Sequence, residues 1–229
     1  MRACKNTILL AILLELLLGF ASAQTRKVYP VDEGPKDASF LSFRKELMEA
    51  IKRHDQKFVL SILDANILNS YGGNGGIEEF KETWQMDKSD SELWETLREI
   101  LSLGGVFIPD PPEEGGGMVF CAPYLCGRFP EDIDALDHLV VTARKVNVRA
   151  RPSLNAPAVA TLSFDVVRYA DPMNDTVKHG DGHTWNKIVT LDGKIGYVSG
   201  QFLRSPMEHY ACFKKIDGKW RMTSLVGGD

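Results

Sequence analysis

The sequence predicts an α+β protein in which helices come first and β-strands follow. Apolar side chains in residues 37–104 recur at spacings of three and four, as they do on one face of an amphipathic helix. Residues 146–149 instead alternate β-branched and polar side chains, as a half-buried strand does. Two further alternating runs, residues 210–216 and 219–225, flank Asp217-Gly218, a dipeptide typical of tight hairpins. The expected order is a helical N-terminal region, a small β unit and a C-terminal β-hairpin.

Residues 1–23 have the pattern of a secretory signal peptide. Two basic residues precede an apolar run at 8–20, and the small residues 21–23 predict cleavage before Gln24. The apolar run is shorter than the roughly 20 residues that a membrane span needs, and it contains Glu15. An unprocessed anchor is the alternative. We expect cleavage and an exported protein, periplasmic or secreted, without a membrane span.

The charge balance argues against a nucleic-acid partner. Removal of the leader takes away two basic residues and one acid, which leaves 25 Lys plus Arg against 30 Asp plus Glu. A nucleic-acid-binding domain would show a basic excess instead. The remaining length fits one large or two small globular units, and we expect a monomer.

The helical region divides into four predicted helices. Asp37 is placed as the N-cap of the first helix, and residues 55–63 predict a short second helix. A third helix starts at Ile77. Residues 89–92, Ser-Asp-Ser-Glu, match a capping box and predict a fourth helix, which Gly104 would end.

A glycine-rich turn at residues 72–76 separates the second and third helices. A phosphate-binding loop would need Lys followed by Ser or Thr after the last glycine, and this sequence has neither there. We therefore interpret the segment as a loop that needs positive φ angles.

Three motifs in the second half resemble the bacterial SH3-like (SH3b, SH3 type 3) domain. They are Val146-Asn-Val-Arg-Ala-Arg-Pro152, Trp185-Asn-Lys-Ile188 and Gly193-Lys-Ile-Gly-Tyr-Val198. In that family they form an opening strand, a Trp-containing strand and a Gly-Tyr-Val strand. The resemblance implies a small SH3-like β-barrel at residues 138–205. Such domains usually bind ligands and do not catalyse reactions.

A wider resemblance covers nearly the whole mature chain. The order Phe-x-x-Phe-Arg, Tyr-Gly-Gly-Asn-Gly-Gly, Leu-Gly-Gly-Val-Phe, Ala-Pro-Tyr and a final Asp-Gly-Lys-Trp-Arg-Met is similar to an uncharacterised family of exported bacterial proteins. It implies a mainly helical domain at 24–135 before the SH3-like domain. The N-terminal helices and the terminal strand also resemble, more weakly, the α+β fold of nuclear transport factor 2. We expect the hairpin at 207–229 to pack on the helical domain, so that the SH3-like unit is an insertion.

Four residues are the candidate ligand contacts. Trp185 and Tyr197 stand where the SH3-like pattern often carries aromatic residues, and they could line a groove for an extended peptide or glycan. Arg149 or Arg151 could contact a carboxylate. The alternative is that Trp185 caps the barrel core and the arginines are solvated. The loop before Trp185 is unusually long for the family and could reshape such a groove.

That loop contains the only cluster with metal-ligand residue types, His179, Asp181 and His183. Imidazole and carboxylate suit zinc or copper, but the spacing matches no recognised structural site. A solvated turn explains the same residues, so no metal and no other cofactor is predicted.

The cysteines give little support for an enzyme. Cys121 and Cys126 could form a small disulfide loop, with buried free thiols as the alternative. Cell-wall peptidases that carry SH3-like domains place a catalytic Cys at the head of a helix, and Cys121, Cys126 and Cys212 do not begin a helical pattern. A Gly-x-Ser-x-Gly motif is also missing from the sequence.

The sequence therefore favours a non-catalytic binding or scaffolding protein of the cell envelope. Its expected partner is peptidoglycan peptide or an envelope protein. The alternative is a cell-wall hydrolase with an unrecognised active site in the N-terminal region.

Overall fold

A computed structural model describes residues 26–111, 116–171, 176–178 and 182–227, with the backbone alone described at 176–178. Over these ranges the protein is a mixed α+β fold, as predicted. The helices are α1 (Ala38–Lys52), α2 (Gln56–Ser61), α3 (Ile77–Thr83) and α4 (Leu93–Ser102). In the described part of the chain, no helix has the length and apolar character needed to cross a membrane.

The strands form two separate sheets, one of five strands and one of eight. In chain order they are β1 (Leu63–Leu68), β2 (Val106–Pro109), β3 (Met118–Ala122), β4 (His138–Val141), β5 (Val146–Arg149), β6 (Ala158–Leu162), β7 (Val166–Tyr169), β8 (Thr176–Lys178), β9 (Thr184–Thr190), β10 (Ile195–Ser199), β11 (Leu203–Arg204), β12 (Tyr210–Ile216) and β13 (Lys219–Val226).

The N-terminal ends of α1 and α2 follow from local capping. The Asp37 carboxylate accepts hydrogen bonds from the backbone N–H groups of Ser39 and Phe40, which confirms the predicted N-cap. Asp55 does the same for Phe58. The short second helix ends at Ser61, two residues before the predicted end, because Leu63 begins β1.

The fourth helix does not use the predicted capping box. It begins at Leu93, and the hydroxyl that accepts a hydrogen bond from the Leu93 N–H belongs to Ser91. The same hydroxyl donates to the carbonyl oxygen of Trp84. Ser91 therefore ties the start of α4 to the end of α3, a contact that the local Ser-x-x-Glu pattern does not reveal.

The glycine-rich turn adopts the predicted positive φ angles, 73° at Gly75 and 91° at Gly76. The Glu79 carboxylate accepts hydrogen bonds from the N–H groups of Asn74 and Gly75. Because a carboxylate of the chain itself uses these donors, the loop is organised around Glu79 and not around a phosphate.

The first sheet has the order β1-β13-β12-β3-β2, and the helices pack against it. Phe40 of α1 lies at the centre of this packing, with its ring centroid 4.1 Å from that of Phe120 and 4.9 Å from that of Trp220. The last two strands are antiparallel and meet at Asp217 and Gly218. They lie within the first sheet, where β13 pairs with β1 and β12 pairs with β3.

The second sheet has the order β11-β4-β7-β9-β10-β5-β6, with β8 paired to β9. This pairing path does not close on itself in the described residues, so the closed barrel that the resemblance implies is not formed. Every residue of this sheet lies between β3 and β12 in the chain.

A small apolar cluster joins the second sheet to the N-terminal segment and to the 3₁₀ turn that follows β3. Val140 and Val166 of the second sheet pack with Val28, Tyr124 and Leu125. The N-terminal segment also reaches the second sheet, because the Val28 N–H donates to the carbonyl oxygen of Phe164. The part of the second sheet that contains β4 and β7 is thereby covered.

The disulfide differs from the expectation. Cys121 is bonded to Cys212, with Cα atoms 4.2 Å apart, and Cys126 is unpaired. Cys121 and Cys212 are register partners on the antiparallel strands β3 and β12, and this pairing places the two cysteines side by side. Cys126 lies in a 3₁₀ turn after the strand, so the predicted pairing of Cys121 with Cys126 is wrong.

Candidate binding site

Strand register divides the side chains of the second sheet between two faces. Val146 and Val148 of β5 pack in a core cluster with Ile188 of β9 and Val198 of β10. Residues one position along each strand point the opposite way. The resulting outer face carries Asn147, Arg149, Trp185, Lys187, Tyr197 and Ser199.

Trp185 is on the outer face although it is buried. Its exposed fraction is 2%, and it is not part of the core cluster that contains Val146 and Val198. Its register partner is Ser199 on one side and, through the backbone of β8, Val177 on the other. Among the described residues, the buried indole Nε1 has no hydrogen-bond acceptor. Trp185 therefore neither caps the main core nor lies open in a groove, which modifies both sequence interpretations.

Arg149 and Tyr197 are brought together, and Arg151 is not. Arg149 and Tyr197 are register partners on β5 and β10, and both are partly buried. The Arg149 guanidinium donates a 2.8 Å hydrogen bond to the carbonyl oxygen of Ala156, which fixes its position. Arg151 is exposed in the turn after β5 and does not line the pocket next to Trp185.

That pocket, which we call the cationic pocket, has a volume of about 170 Å³. It is smaller than the ~300–1,000 Å³ of sites for drug-sized ligands, so it suits one functional group or one residue of a larger ligand. It is lined by Arg144, Lys145, Val146, Asn147, Arg149, Leu154, Trp185, Ser199 and Phe202.

Three of these lining residues are cationic and none is acidic. The guanidinium of Arg144 lies 5.3 Å from the centre of the Phe164 ring, which holds it in place without neutralising it. Within the described residues, Arg144, Lys145 and Arg149 have no ion-pair partner. The pocket therefore offers uncompensated positive charge to a ligand.

Arg144 and Lys145 were missed by the sequence reasoning, which began with the strand at Val146. The sequence does contain a signal for these two residues, because they directly precede the Val-Asn-Val-Arg motif. Their position could not be inferred, since Lys145 has a φ angle of 55° and directs the turn into β5.

A larger pocket of about 260 Å³ lies beside β6 and the turn between β9 and β10, and its charges are already paired. Lys27 contacts Asp165 at 2.8 Å, and Lys194 contacts Asp192 at 2.9 Å. Hydrogen bonds from Thr190 and Lys194 lower the pKa of Asp192. These internal pairs leave less unsatisfied charge for a ligand than the cationic pocket does.

The metal-ligand cluster cannot be assembled from the described part of the chain. His179 and Asp181 lie outside the described residues, and His183 is the only member within them. In the described ranges of the chain, no group of three His, Cys, Asp or Glu residues could hold a metal ion.

The described cysteines are poor nucleophiles. Cys121 and Cys212 are consumed in the disulfide. Although Cys126 is exposed as a residue, burial of its thiol raises the pKa to about 12. A thiol with this pKa is almost fully protonated at neutral pH, and the thiolate is the reactive form.

Comparison with known proteins yields no significant match to a protein-family model, a curated protein or a solved structure.

Proposed function

We propose that this protein is a non-catalytic binding protein of the bacterial cell envelope. The second sheet is its SH3-like unit, and the ligand is a carboxylate-bearing peptide of peptidoglycan or of an envelope protein. The observation that carries the proposal is the cationic pocket, in which Arg144, Lys145 and Arg149 have no acid among the lining residues.

The SH3-like assignment has support from where its three motifs fall. The opening motif supplies β5, the Trp motif supplies β9 and the Gly-Tyr-Val motif supplies β10. These strands are adjacent in the antiparallel order β9-β10-β5. The family resemblance thus points to one continuous patch of sheet, and the cationic pocket lies on its outer face.

Export has support from two independent features. The first is the signal-peptide pattern of residues 1–23. The second is the Cys121–Cys212 disulfide, because disulfides persist in oxidising compartments such as the bacterial periplasm.

The pocket also explains why binding would be selective for anions. A ligand carboxylate would gain charge-assisted hydrogen bonds from Arg149 or from the Arg144–Lys145 pair.

The hydrolase alternative has less support. None of the described cysteines is a good nucleophile for such an enzyme, because Cys121 and Cys212 form the disulfide and burial raises the pKa of the Cys126 thiol.

Co-sedimentation with purified bacterial sacculi tests the proposal, with turbidity recorded on the same samples. We expect binding without clearing, and a fivefold or greater loss of binding in the Arg144→Gln/Arg149→Gln double variant. Arg168→Gln is the matched control, because Arg168 is an exposed arginine of β7 outside the pocket. Thermal melting checks that each variant is folded. Clearing of the sacculi, or equal losses in the pocket and control variants, would contradict the proposal.

A further inference from the structure

Strand β6 is an edge of the second sheet whose outer side is unpaired. Among the described residues it pairs with β5 alone, at the end of the strand order. In an antiparallel edge strand, every second residue turns its backbone N–H and C=O groups away from the neighbouring strand. Within the described part of the chain, these outward groups of residues 158–162 make no hydrogen bond. They can therefore pair with another extended chain.

The other edges of the two sheets carry features that hinder such pairing. At β1, the Gly76 N–H already donates to the carbonyl oxygen of Ile67. At β2, the Glu33 carboxylate accepts from the Phe107 N–H, and Pro109 ends the strand. Strands β8 and β11 are only three and two residues long. Strand β6 instead has five residues, of which none is charged and none is proline.

A groove runs along β6, and we call it the edge groove. It is the pocket of about 260 Å³, and three consecutive residues of β6, Ala160, Thr161 and Leu162, line it. Because side chains alternate between the faces of a strand, three consecutive residues share one pocket when it lies along the strand edge. The lining also includes residues 190–192 and Lys194, from the end of β9 and the turn that follows. Since β10 and β5 separate β9 from β6 in the strand order, the sheet curls and leaves the groove between β6 and this turn.

The charges at the edge groove are paired within the protein. Lys27 lies 2.8 Å from Asp165, whose carboxylate also accepts a hydrogen bond from the Ser163 N–H. Lys194 lies 2.9 Å from Asp192. A charged ligand side chain would lose hydration in this groove without meeting an unpaired opposite charge. The groove therefore favours an uncharged ligand.

We infer that an uncharged, extended segment of a partner polypeptide adds to the second sheet as a strand beside β6. Its main chain pairs with the outward groups of β6, which is a known mode of peptide recognition. Its side chains contact the edge groove and Val159, which is 42% exposed. A second copy of this chain fits less well, because it would bring its own β5 and its own turn into the space that residues 190–194 limit. The edge groove shares no lining residue with the cationic pocket, so this inference does not depend on the proposed function.

N-methylation of a synthetic peptide tests strand addition. The parent probe is acetyl-Thr-Val-Thr-Val-Thr-amide, titrated into isotope-labelled protein while backbone amide chemical shifts are recorded. We expect saturable shifts at residues 158–162 and 190–194. Methylation of all five residue nitrogens removes the donors from both edges of the peptide and should weaken binding about tenfold or more, whereas methylation of alternate nitrogens leaves one edge free and should change binding less than about twofold for at least one of the two alternate sets.

A lysine substitution tests the edge from the protein side. Val159→Lys introduces the charge that natural proteins use to block an edge strand, and it should weaken binding of the parent peptide about fivefold or more. Leu41→Lys is the matched control, because Leu41 of α1 is also 42% exposed. It should bind the peptide as the native protein does, and thermal melting checks that both variants are folded. Glu in place of the central Thr of the peptide should weaken binding about threefold or more.

Four results overturn the inference. They are no saturable binding at millimolar peptide, equal binding of the parent and fully methylated peptides, equal binding losses in Val159→Lys and Leu41→Lys, and sedimentation of the protein alone as a dimer that Val159→Lys abolishes. The last result would assign the edge to a second copy of the chain. Sacculus binding is a separate measurement, so the proposed function stands or fails independently of these outcomes.

Discussion

Cys121 and Cys212 lie opposite each other on β3 and β12, and their disulfide closes a loop that contains the entire second sheet. The two cysteines are 91 residues apart in sequence. Strand β12 is therefore held to β3 by a covalent bond as well as by the ladder hydrogen bonds. Strands β3 and β12, which precede and follow the second sheet in the chain, therefore cannot separate at the disulfide.

Removal of this bond should destabilise the protein substantially. A disulfide that closes a long loop restricts the unfolded chain, and the usual contribution is about 2–4 kcal/mol. We expect the Cys121→Ala/Cys212→Ala variant to lose about this much free energy of unfolding in urea titrations. Cys126→Ala is the control, and its urea midpoint should still differ between oxidised and reduced samples. Equal urea midpoints with and without reductant in the native sequence would count against a structural disulfide.

Glu33 joins the N-terminal segment to the first sheet. It is buried, and its carboxylate accepts hydrogen bonds from Lys36, from the backbone N–H of Phe107 and from Arg128. The hydrogen bond from Lys36, followed by that from Phe107, lowers the pKa of Glu33. Glu33→Ala leaves the Phe107 N–H and Arg128 without this acceptor and should cost about 1–3 kcal/mol.

The pH dependence of the Glu33 contribution has a definite sign. Because its folded-state pKa is lowered, the contribution is complete above the unfolded value of about 4.3 and is lost as the pH falls through the folded value. Chemical denaturation at pH 7 and pH 3 checks this, and the stability difference between native protein and Glu33→Ala should be smaller at pH 3. A difference that is constant with pH would show that the carboxylate charge does not matter.

Trp185 allows packing and binding to be separated by choice of substitution. Because it is 2% exposed, Trp185→Ala should cost about 3–5 kcal/mol through the cavity that it leaves. Trp185→Phe keeps most of the ring and removes an N–H that has no acceptor among the described residues, so its cost should be much smaller. We expect Trp185→Phe to melt near the native protein and to bind sacculi as the native protein does, because the indole N–H is buried. A loss of sacculus binding in the folded Phe variant would show that the indole N–H contacts the ligand.

Patterns among neighbouring residues were sufficient to predict the helices. Contacts between residues far apart in the chain could not be predicted from the sequence. Asp37 and Asp55 cap the helices that follow them, so the positions of α1 and α2 depend on neighbouring residues alone. Strand β1 exists because Leu63 and Leu68 pair with β13, more than 150 residues later. A pairing of this kind leaves no mark on the local pattern, so the sequence predicts no strand at residues 63–68.

The candidate site was also predicted only where local pattern determines it. Alternation placed Arg149 on the face opposite Val146 and Val148, which agrees with the structure. The burial of Trp185 and the inclusion of Arg144 in the pocket depend on the turn before β5 and on β8, which packs beside β9. The cysteine pairing likewise required the register of β3 and β12.

His209 lies in the segment that connects β11 of the second sheet to β12 of the first sheet. It follows β11, and its ring centroid lies 5.2 Å from that of Trp84 at the end of α3. Burial lowers the pKa of His209 from the ordinary 6.5, and the nearby Arg204 lowers it further, while Glu208 and Glu92 act in the opposite direction. The folded protein therefore favours the neutral imidazole.

Protonation of His209 should weaken the folded state as the pH falls. With a folded-state pKa below the unfolded value, the contribution of His209 is complete above about pH 6.5 and is lost as the pH falls through the folded value. We expect the urea midpoint of the native protein to fall between pH 7 and pH 5, and His209→Gln to show a shallower slope because it cannot be protonated. This range lies above the main titration of the carboxylates, so their loss does not obscure the comparison. Identical slopes in the two proteins would show that the contact between His209 and Trp84 does not sense pH.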